Sequence, residues 1–152
     1  MTERILLSLD GSATADGRGG ETEGDRTGKV DRAIDHALDL AARTGGTVHA
    51  LYVVDTGRYG EPALSSAELV VDGVEDAGHD LLAVVDRRGR ERGVAVRTRR
   101  CHGRPSEELP AYAAEIDADA VVIAGRRPPG RVRRELERVA DTVVAPGAVV
   151  GR

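Results

Sequence analysis

Aromatic residues are almost missing from this sequence. It contains no Phe and no Trp, and three Tyr are its only aromatic residues besides histidine. A chain of 152 residues is expected to bury about two-thirds of its unfolded surface. Its core must therefore be filled by Val, Leu, Ile and Ala. Short aliphatic runs of this kind are typical of parallel strands that are buried on both faces.

The sequence also lacks cysteine pairs and long apolar runs. Cys101 is the single cysteine, which excludes an internal disulfide and fits a reducing cytoplasm. No run approaches the roughly 18 apolar residues of a membrane helix. Residues 1–4 lead into a short apolar run rather than a secretion signal. We therefore expect a cytoplasmic protein without membrane contact.

Lysine is nearly absent too, because arginine outnumbers it 21 to 1. The net charge is −4, which gives no reason to expect nucleic acid as a partner. The charge is unevenly spread, since the segment from Arg126 to Arg138 holds six arginines against Glu135 and Glu137. This segment is either a solvated basic helix face or a surface that holds an anion.

Short apolar runs alternate with helical patterns along the chain. The predicted strands are Ile5–Leu9, Thr47–Val54, Val94–Arg100, Ala120–Ala124 and Thr142–Val150, the last interrupted by Pro146-Gly147. Between them, apolar residues at three- and four-residue spacing predict helices. Strands that alternate with helices predict a single α/β domain over residues 1–152, with a doubly wound, five-stranded parallel sheet and helices on both faces.

The stretch from Gly11 to Lys29 breaks this alternation. It is polar, it contains six glycines and it has no large apolar residue. A segment of this composition has too little apolar surface to offset the entropy of ordering it. We therefore predict that residues 11–29 form a flexible, Gly-rich loop inserted into the domain.

Ligands of doubly wound sheets bind beyond the carboxyl ends of the strands, where the strand order reverses. Asp10, Asp55 and Gly125 follow the first, second and fourth predicted strands. A carboxylate at Asp10 can accept hydrogen bonds from an amine or a ribose. The turn from Gly125 to Gly130 leads into a helix start, which suits an anion. The alternative is structural: Asp10 caps a turn and Gly125 permits a sharp bend.

Several segments resemble the universal stress protein family in their order and spacing. The opening strand ends in Asp10-Gly11-Ser12, and the match continues through residues 33–41, 47–55, 103–105 and 117–125. It covers nearly the whole chain outside the 11–29 loop. The resemblance implies the strand order 3-2-1-4-5. It also implies a homodimer that pairs its last strands, here through Ala148-Val149-Val150.

The same resemblance implies where an adenine nucleotide would bind. The candidate residues are Asp10, Val53, Gly125, Arg127, Gly130 and Arg131. Nucleotide-binding members carry a signature after the fourth strand: Gly, two residues, Gly, nine residues, Gly, and then Ser or Thr. Here Gly125 matches the glycine that closes the strand, and Gly130 resembles the first glycine of the loop.

The rest of this signature is missing. Pro128 and Pro129 remove two backbone donors. The place of the closing Gly-Ser falls near Glu137-Arg138, where a glutamate is expected to repel a phosphate. These departures resemble the branch of the family that does not retain nucleotide. Charge alone could instead hold an anion, through Arg126, Arg127, Arg131, Arg133 and Arg134.

Other chemistries find less support in the sequence. Residues 24–30 resemble a phosphate-binding P-loop, but Glu23 stands where its first glycine belongs and Val30 where its hydroxyl belongs. Cys101-His102 is an isolated pair without metal-ligand spacing. No Ser, Cys or Thr has a nearby His and acid in a recognisable motif. Tyr112 is predicted to fill the core.

The sequence therefore predicts a non-catalytic stress-response or signalling protein of the universal stress protein type. We expect it to act through dimerisation and protein contacts, without a metal or a resident cofactor. The alternative is an adenine-nucleotide-binding switch, with ATP as the ligand and slow hydrolysis at most. An adenine-nucleotide-dependent transferase of related architecture is a third hypothesis, for which no residue gives positive support.

Overall fold

The computed structural model describes residues 3–10, 23–55, 79–124 and 130–144 of the chain. The strands within these ranges are β1 Arg4–Asp10, β2 Thr47–Asp55, β3 Ala95–Gly103, β4 Ala120–Ile123 and β5 Thr142–Val144. The helices within them are α1 Glu23–Thr44, α2 over residues 79–92, α3 Pro105–Ile116 and α4 Gly130–Val139.

The described strands form a five-stranded parallel sheet in the order β3-β2-β1-β4-β5. The predicted fold class and strand order are therefore confirmed. From β1 the chain moves outward to β2 and β3, and it then returns to the other side of β1 for β4 and β5. The strand order thus reverses at β1, and a reversal of this kind is where doubly wound sheets bind ligands.

Side chains that alternate along the strands build a separate core on each face of the sheet. Ile5 and Leu9 of β1 pack with α1 and α2 on one face. Leu6 of β1 and Leu51 of β2 pack with α3 and α4 on the other face. Helices cover both faces, as predicted. Burial on both sides explains why the central strands read as aliphatic runs in the sequence.

A ladder of ion pairs joins α1 and α2. The guanidinium of Arg88 lies 2.9 Å from the carboxylate of Asp31 and 3.8 Å from that of Asp35. The guanidinium of Arg92 lies 3.2 Å from Asp35 and also pairs with Asp39. The aspartates are spaced four residues apart, as are the arginines, so each set lies along one side of its helix. The ladder therefore sets how the two helices lie against each other.

The first helix begins earlier than the sequence predicts. α1 starts at Glu23, so residues 23–29 are helical, and the predicted loop as far as Lys29 was wrong over this stretch. The prediction relied on apolar spacing, and the first large apolar residue of α1 is the buried Val30. A helix that is held by packing adds polar residues at its end with one backbone bond each. Residues 11–22 lie outside the described residues, and their mobility stays a prediction.

The observed strand bounds differ most from the predicted ones at β3 and β5. β3 continues to Gly103, beyond the predicted end at Arg100. β5 is described from Thr142 to Val144, and its predicted continuation through Ala148-Val149-Val150 lies outside the described residues. The pairing of last strands across a dimer therefore remains a prediction.

Candidate functional site

Predicted site residues on the central strands lie side by side. Asp10 is the last residue of β1, and its Cα is paired with that of Val53 in β2. On the other side of β1, Ser8 is paired with Ile123 of β4, and the backbone N–H of Ala124 donates to the carbonyl of Ser8 at 3.0 Å. The carboxyl ends of β1, β2 and β4 therefore meet at the point where the strand order reverses.

The strand ends provide a closed, apolar floor at this point. Val53 and Ala124 are each 1% exposed, and Ser8 is 5% exposed. The side chain of Val53 packs in the core under α3 and α4. The side chain of Val53 is therefore not available to a ligand at this point.

The predicted residues of the β4–α4 connection are only partly described. Gly125 and Arg127 lie outside the described residues. Gly130 is the first residue of α4, and both it and Arg131 are exposed. No atom lies within 4 Å of a Cβ placed on Gly130, so packing does not require glycine there. The first turn of α4 offers free N–H groups and the charge of Arg131, a combination that attracts anions.

The chain from α4 to β5 lacks the end of the nucleotide signature. α4 ends at Val139, and Ala140-Asp141 lead directly into β5. Ala140 packs in the core, and the N–H of Asp141 donates to the carbonyl of Asp119 at 3.0 Å. Counted from Gly130, nine residues lead to this Ala-Asp pair. The closing Gly-Ser is therefore absent here as well as at the predicted place.

Glu137 lies on α4 away from the helix start, and its charge is paired within the helix. Glu137 lies seven residues after Gly130, about 10 Å along the helix axis. Its carboxylate accepts a hydrogen bond from Nε of Arg133 at 3.2 Å. This charge is paired and remote from the helix start, and the expected repulsion of a phosphate stays a prediction. Arg133 also donates from Nη2 to the carbonyl of Val143 at 3.2 Å, so it is not free to hold an anion.

Cys101 also lies near this end of the sheet, directly after the predicted end of the third strand. It is a partly buried residue of β3, paired in register with Val53. Burial, followed by the nearby carboxylate of Glu108, raises the pKa of the Cys101 thiol. A thiol with a raised pKa stays protonated and is a poor nucleophile. The arrangement therefore offers no activated cysteine for covalent chemistry.

Tyr112 was predicted to fill the core, and the structure bears this out only in part. It packs against the core at its margin, and the guanidinium of Arg99 lies 4.9 Å from the centre of its ring. The ring of His49 meets it edge-on at 6.5 Å, and Arg99 donates to Glu115 at 2.9 Å. This cluster joins α3 to β2 and β3. No motif in the sequence announces it, because its members come from three separate elements.

Neither a metal site nor a membrane span is found in the described part of the chain. No group of three or more His, Cys, Asp or Glu side chains in these ranges could hold a metal ion. None of the helices in these ranges combines the length and the apolar character needed to cross a membrane.

Comparison with known proteins shows the family. The sequence profile of the Universal stress protein family matches residues 25–146. The chain belongs to the universal stress protein family. A universal stress protein of Methanocaldococcus jannaschii is 32% identical over 113 residues, which cover 74% of this chain and 66% of that protein. The matched region is thus slightly less than two thirds of that relative's length.

Solved structures of the family share the fold of this universal stress protein. One from Burkholderia pseudomallei is 25% identical, with a TM-score of 0.67 and coverage of 95% of this chain and 96% of that chain. A family protein from Arabidopsis thaliana, solved with AMP bound, is 17% identical, with a TM-score of 0.56 and coverage of 93% and 91%. This second likeness concerns the fold alone. The α/β fold of this chain is therefore one on which a relative binds a nucleotide.

Proposed function

We propose that this universal stress protein is a non-catalytic stress-response or signalling protein. It works in the cytoplasm as a homodimer, through contacts with other proteins, and holds no resident nucleotide. The observation that carries the proposal is the path of the chain after β4: a ten-residue helix leads straight into β5 without a closing Gly-Ser. The single cysteine supports a reducing compartment.

We expect weak phosphate binding because the chain between β4 and β5 lacks N–H and hydroxyl donors that would hold a phosphate. A phosphate is held best by several backbone N–H groups and hydroxyls that converge on it. Pro128 and Pro129 have no N–H, and the Ala140-Asp141 pair supplies a carboxylate in place of a hydroxyl. Arg133 is engaged by Glu137 and Val143. Of the candidate arginines that the structure describes, Arg131 and Arg134 then remain; both are exposed, and exposed charges add little affinity.

Calorimetry with Mg-ATP and with AMP tests this proposal. We expect no binding tighter than roughly 100 μM, which corresponds to about −5.5 kcal/mol. Denatured samples of the freshly purified protein should release no stoichiometric adenine nucleotide. The Arabidopsis relative, titrated with AMP, serves as the positive control. Micromolar affinity of the native protein for ATP or AMP would contradict the proposal.

The second candidate function is an adenine-nucleotide-binding switch. It is favoured by the pairing of Asp10 with Val53 at the reversal of strand order, and by the AMP-bound relative with the same fold. An Asp10→Ala variant separates the two candidates. If the switch exists, this variant loses affinity for ATP by at least about tenfold, because a ribose or amine loses a charged acceptor. Under our proposal the native protein and the variant bind equally weakly.

The homodimer is tested separately by light scattering at tens of micromolar protein. Arg133 occupies the carbonyl of Val143 in β5, so we place the pairing at residues 148–150, as the sequence predicts. A Val149→Pro variant should then be monomeric, because proline removes a donor from the paired strand. A native protein that is monomeric under these conditions would overturn the dimer and leave the calorimetric result standing.

A further inference from the structure

The two edges of the sheet differ in the described part of the chain. At β5, Arg133 donates to the carbonyl of Val143, so the protein's own side chain occupies an acceptor of this edge strand. At β3, nine successive residues pair with β2, and no described strand lies beyond them. The outer backbone groups of an edge strand are available to another strand. β3 is therefore the edge at which a partner strand can be added.

β3 lacks the usual structural features that close an edge. Proteins protect edges with short strands, bulges, prolines or charges. β3 is nine residues long, its register with β2 is unbroken, and it contains no proline. Charge is the remaining protection, since Arg97, Arg99 and Arg100 are all exposed. These positive charges repel basic partners and attract acidic ones, so the edge of β3 can still accept a strand but selects it by charge.

The arginines of β3 differ in whether their charge is already used. Arg99 is held by Glu115 at 2.9 Å and by the ring of Tyr112. Arg97 and Arg100 form no ion pair with any residue that the structure describes. Because side chains alternate along a strand, these two arginines lie on opposite faces of the sheet. An added strand would therefore meet, on each face, one positive charge that no described residue pairs with.

This charge pattern decides which partner fits the edge. A second copy paired through β3 would bring three more arginines against these three, and like charges opposite each other destabilise a strand pair. An acidic strand would be stabilised by the same positions. We propose that the outer edge of β3 binds an extended acidic segment of a partner protein by strand addition, with carboxylates against Arg97 and Arg100. The inference rests on the proposed role in protein contacts and identifies one partner surface.

Fluorescence anisotropy with a defined probe tests the inference. The probe is a nine-residue, fluorescein-labelled peptide of Thr and Val that carries Glu residues on both of its strand faces. We expect saturable binding that weakens when NaCl is raised from 50 to 300 mM, because salt screens exposed charges. The same peptide with Gln in place of Glu should bind at least about tenfold more weakly. A peptide that keeps every Glu but is N-methylated at alternate residues should lose binding, because it cannot form the strand pair.

Two matched protein variants complete the test. An Arg97→Glu/Arg100→Glu variant should bind the acidic peptide at least about tenfold more weakly. An Arg32→Glu/Arg87→Glu variant makes the same charge change on exposed positions of α1 and α2 and should bind like the native protein. All four positions are exposed, so circular dichroism should show folded proteins throughout. Absence of binding, equal losses in both variants, or full binding of the N-methylated peptide would each overturn the inference without bearing on the nucleotide or dimer tests.

Discussion

Gly89 lies near the C-terminal end of α2, and we expect the close approach of this helix to β3 to require glycine there. It is buried, and a Cβ placed on it would lie 2.3 Å from Cγ2 of Val96 and 3.2 Å from the carbonyl oxygen of Val94. Non-bonded carbon atoms are most stable at about 3.5–4.0 Å. A Gly89→Ala variant must therefore move α2 away from the sheet or displace the side chain of Val96.

Two opposing effects set the size of this change. Alanine stabilises an unobstructed helix by roughly 1 kcal/mol relative to glycine. An overpacked methyl group costs about 1–3 kcal/mol. We therefore expect Gly89→Ala to lower the free energy of unfolding by about 1 kcal/mol, whereas an unobstructed site would show a gain.

A second substitution at Val96 reverses the sign. Val96→Ala removes Cγ2, and the distance from the new Cβ at position 89 to the Cβ of residue 96 is an ordinary 3.5 Å. In this background the carbonyl oxygen of Val94 still lies 3.2 Å from the new Cβ, so Gly89→Ala should raise the free energy of unfolding by less than the roughly 1 kcal/mol of a free helix. The coupling between the two positions is then about 1–2 kcal/mol, within the range for residues in contact.

Urea unfolding of the four proteins, followed by circular dichroism, measures this cycle. Gly130→Ala is the control, because no atom lies within 4 Å of its added Cβ and its free energy of unfolding should not fall. If Gly89→Ala stabilises the native background, or if the coupling is below about 0.5 kcal/mol, the close approach of α2 to β3 is not what selects glycine here.

Two further predictions concern charge. Arg92→Ala should lower the free energy of unfolding by about 0.5–1 kcal/mol, because it removes the ion pair of Asp39 and leaves Asp35 with the longer contact to Arg88 alone. The loss should shrink in 1 M NaCl, and a salt-independent loss would contradict an ionic origin. Burial, followed by the charges of Arg97 and Arg4, lowers the pKa of His49. The unfolded chain then binds more protons below about pH 6.5, so the native protein should lose stability as the pH falls from 7.5 to 5. His49→Gln should reduce that loss. Urea unfolding of both proteins at each pH measures it, and an equal loss of stability in both would refute the assignment of the pH dependence to His49.

The parallel α/β sheet could be predicted from the sequence, and the resemblance to universal stress proteins implied its strand order. Parallel strands buried on both faces leave uninterrupted aliphatic runs, such as Ala120–Ile123 of β4, whose four residues are all buried. Once these runs alternate with helices, few topologies remain. Asp10 ends the first of these strands, and its Cα is paired with that of Val53 in the sheet.

Contacts between separate elements could not be predicted in this way. Nothing near Gly89 in the sequence shows that Val96 will lie against it, because the approach depends on how α2 packs on β3. The partly exposed place of Tyr112 between Arg99 and His49 depends in the same way on where α3 lies relative to β2 and β3. The start of α1 at Glu23 was missed because the prediction used the spacing of apolar residues. That spacing gives no signal where polar turns extend a packed helix.

The pairing of Glu137 with Arg133 is different, because the sequence did contain the information. Val132 and Leu136 are the buried residues of α4, and their four-residue spacing sets the rotation of the helix. Arg133 and Glu137 each follow one of them, so they share the next side of the helix and lie within reach of each other. A glutamate at that spacing pairs with the arginine one turn before it. The same rotation brings Arg133 to the carbonyl of Val143. The side chain of Arg133 is therefore engaged by Glu137 and by Val143, and it occupies an acceptor of the edge strand β5.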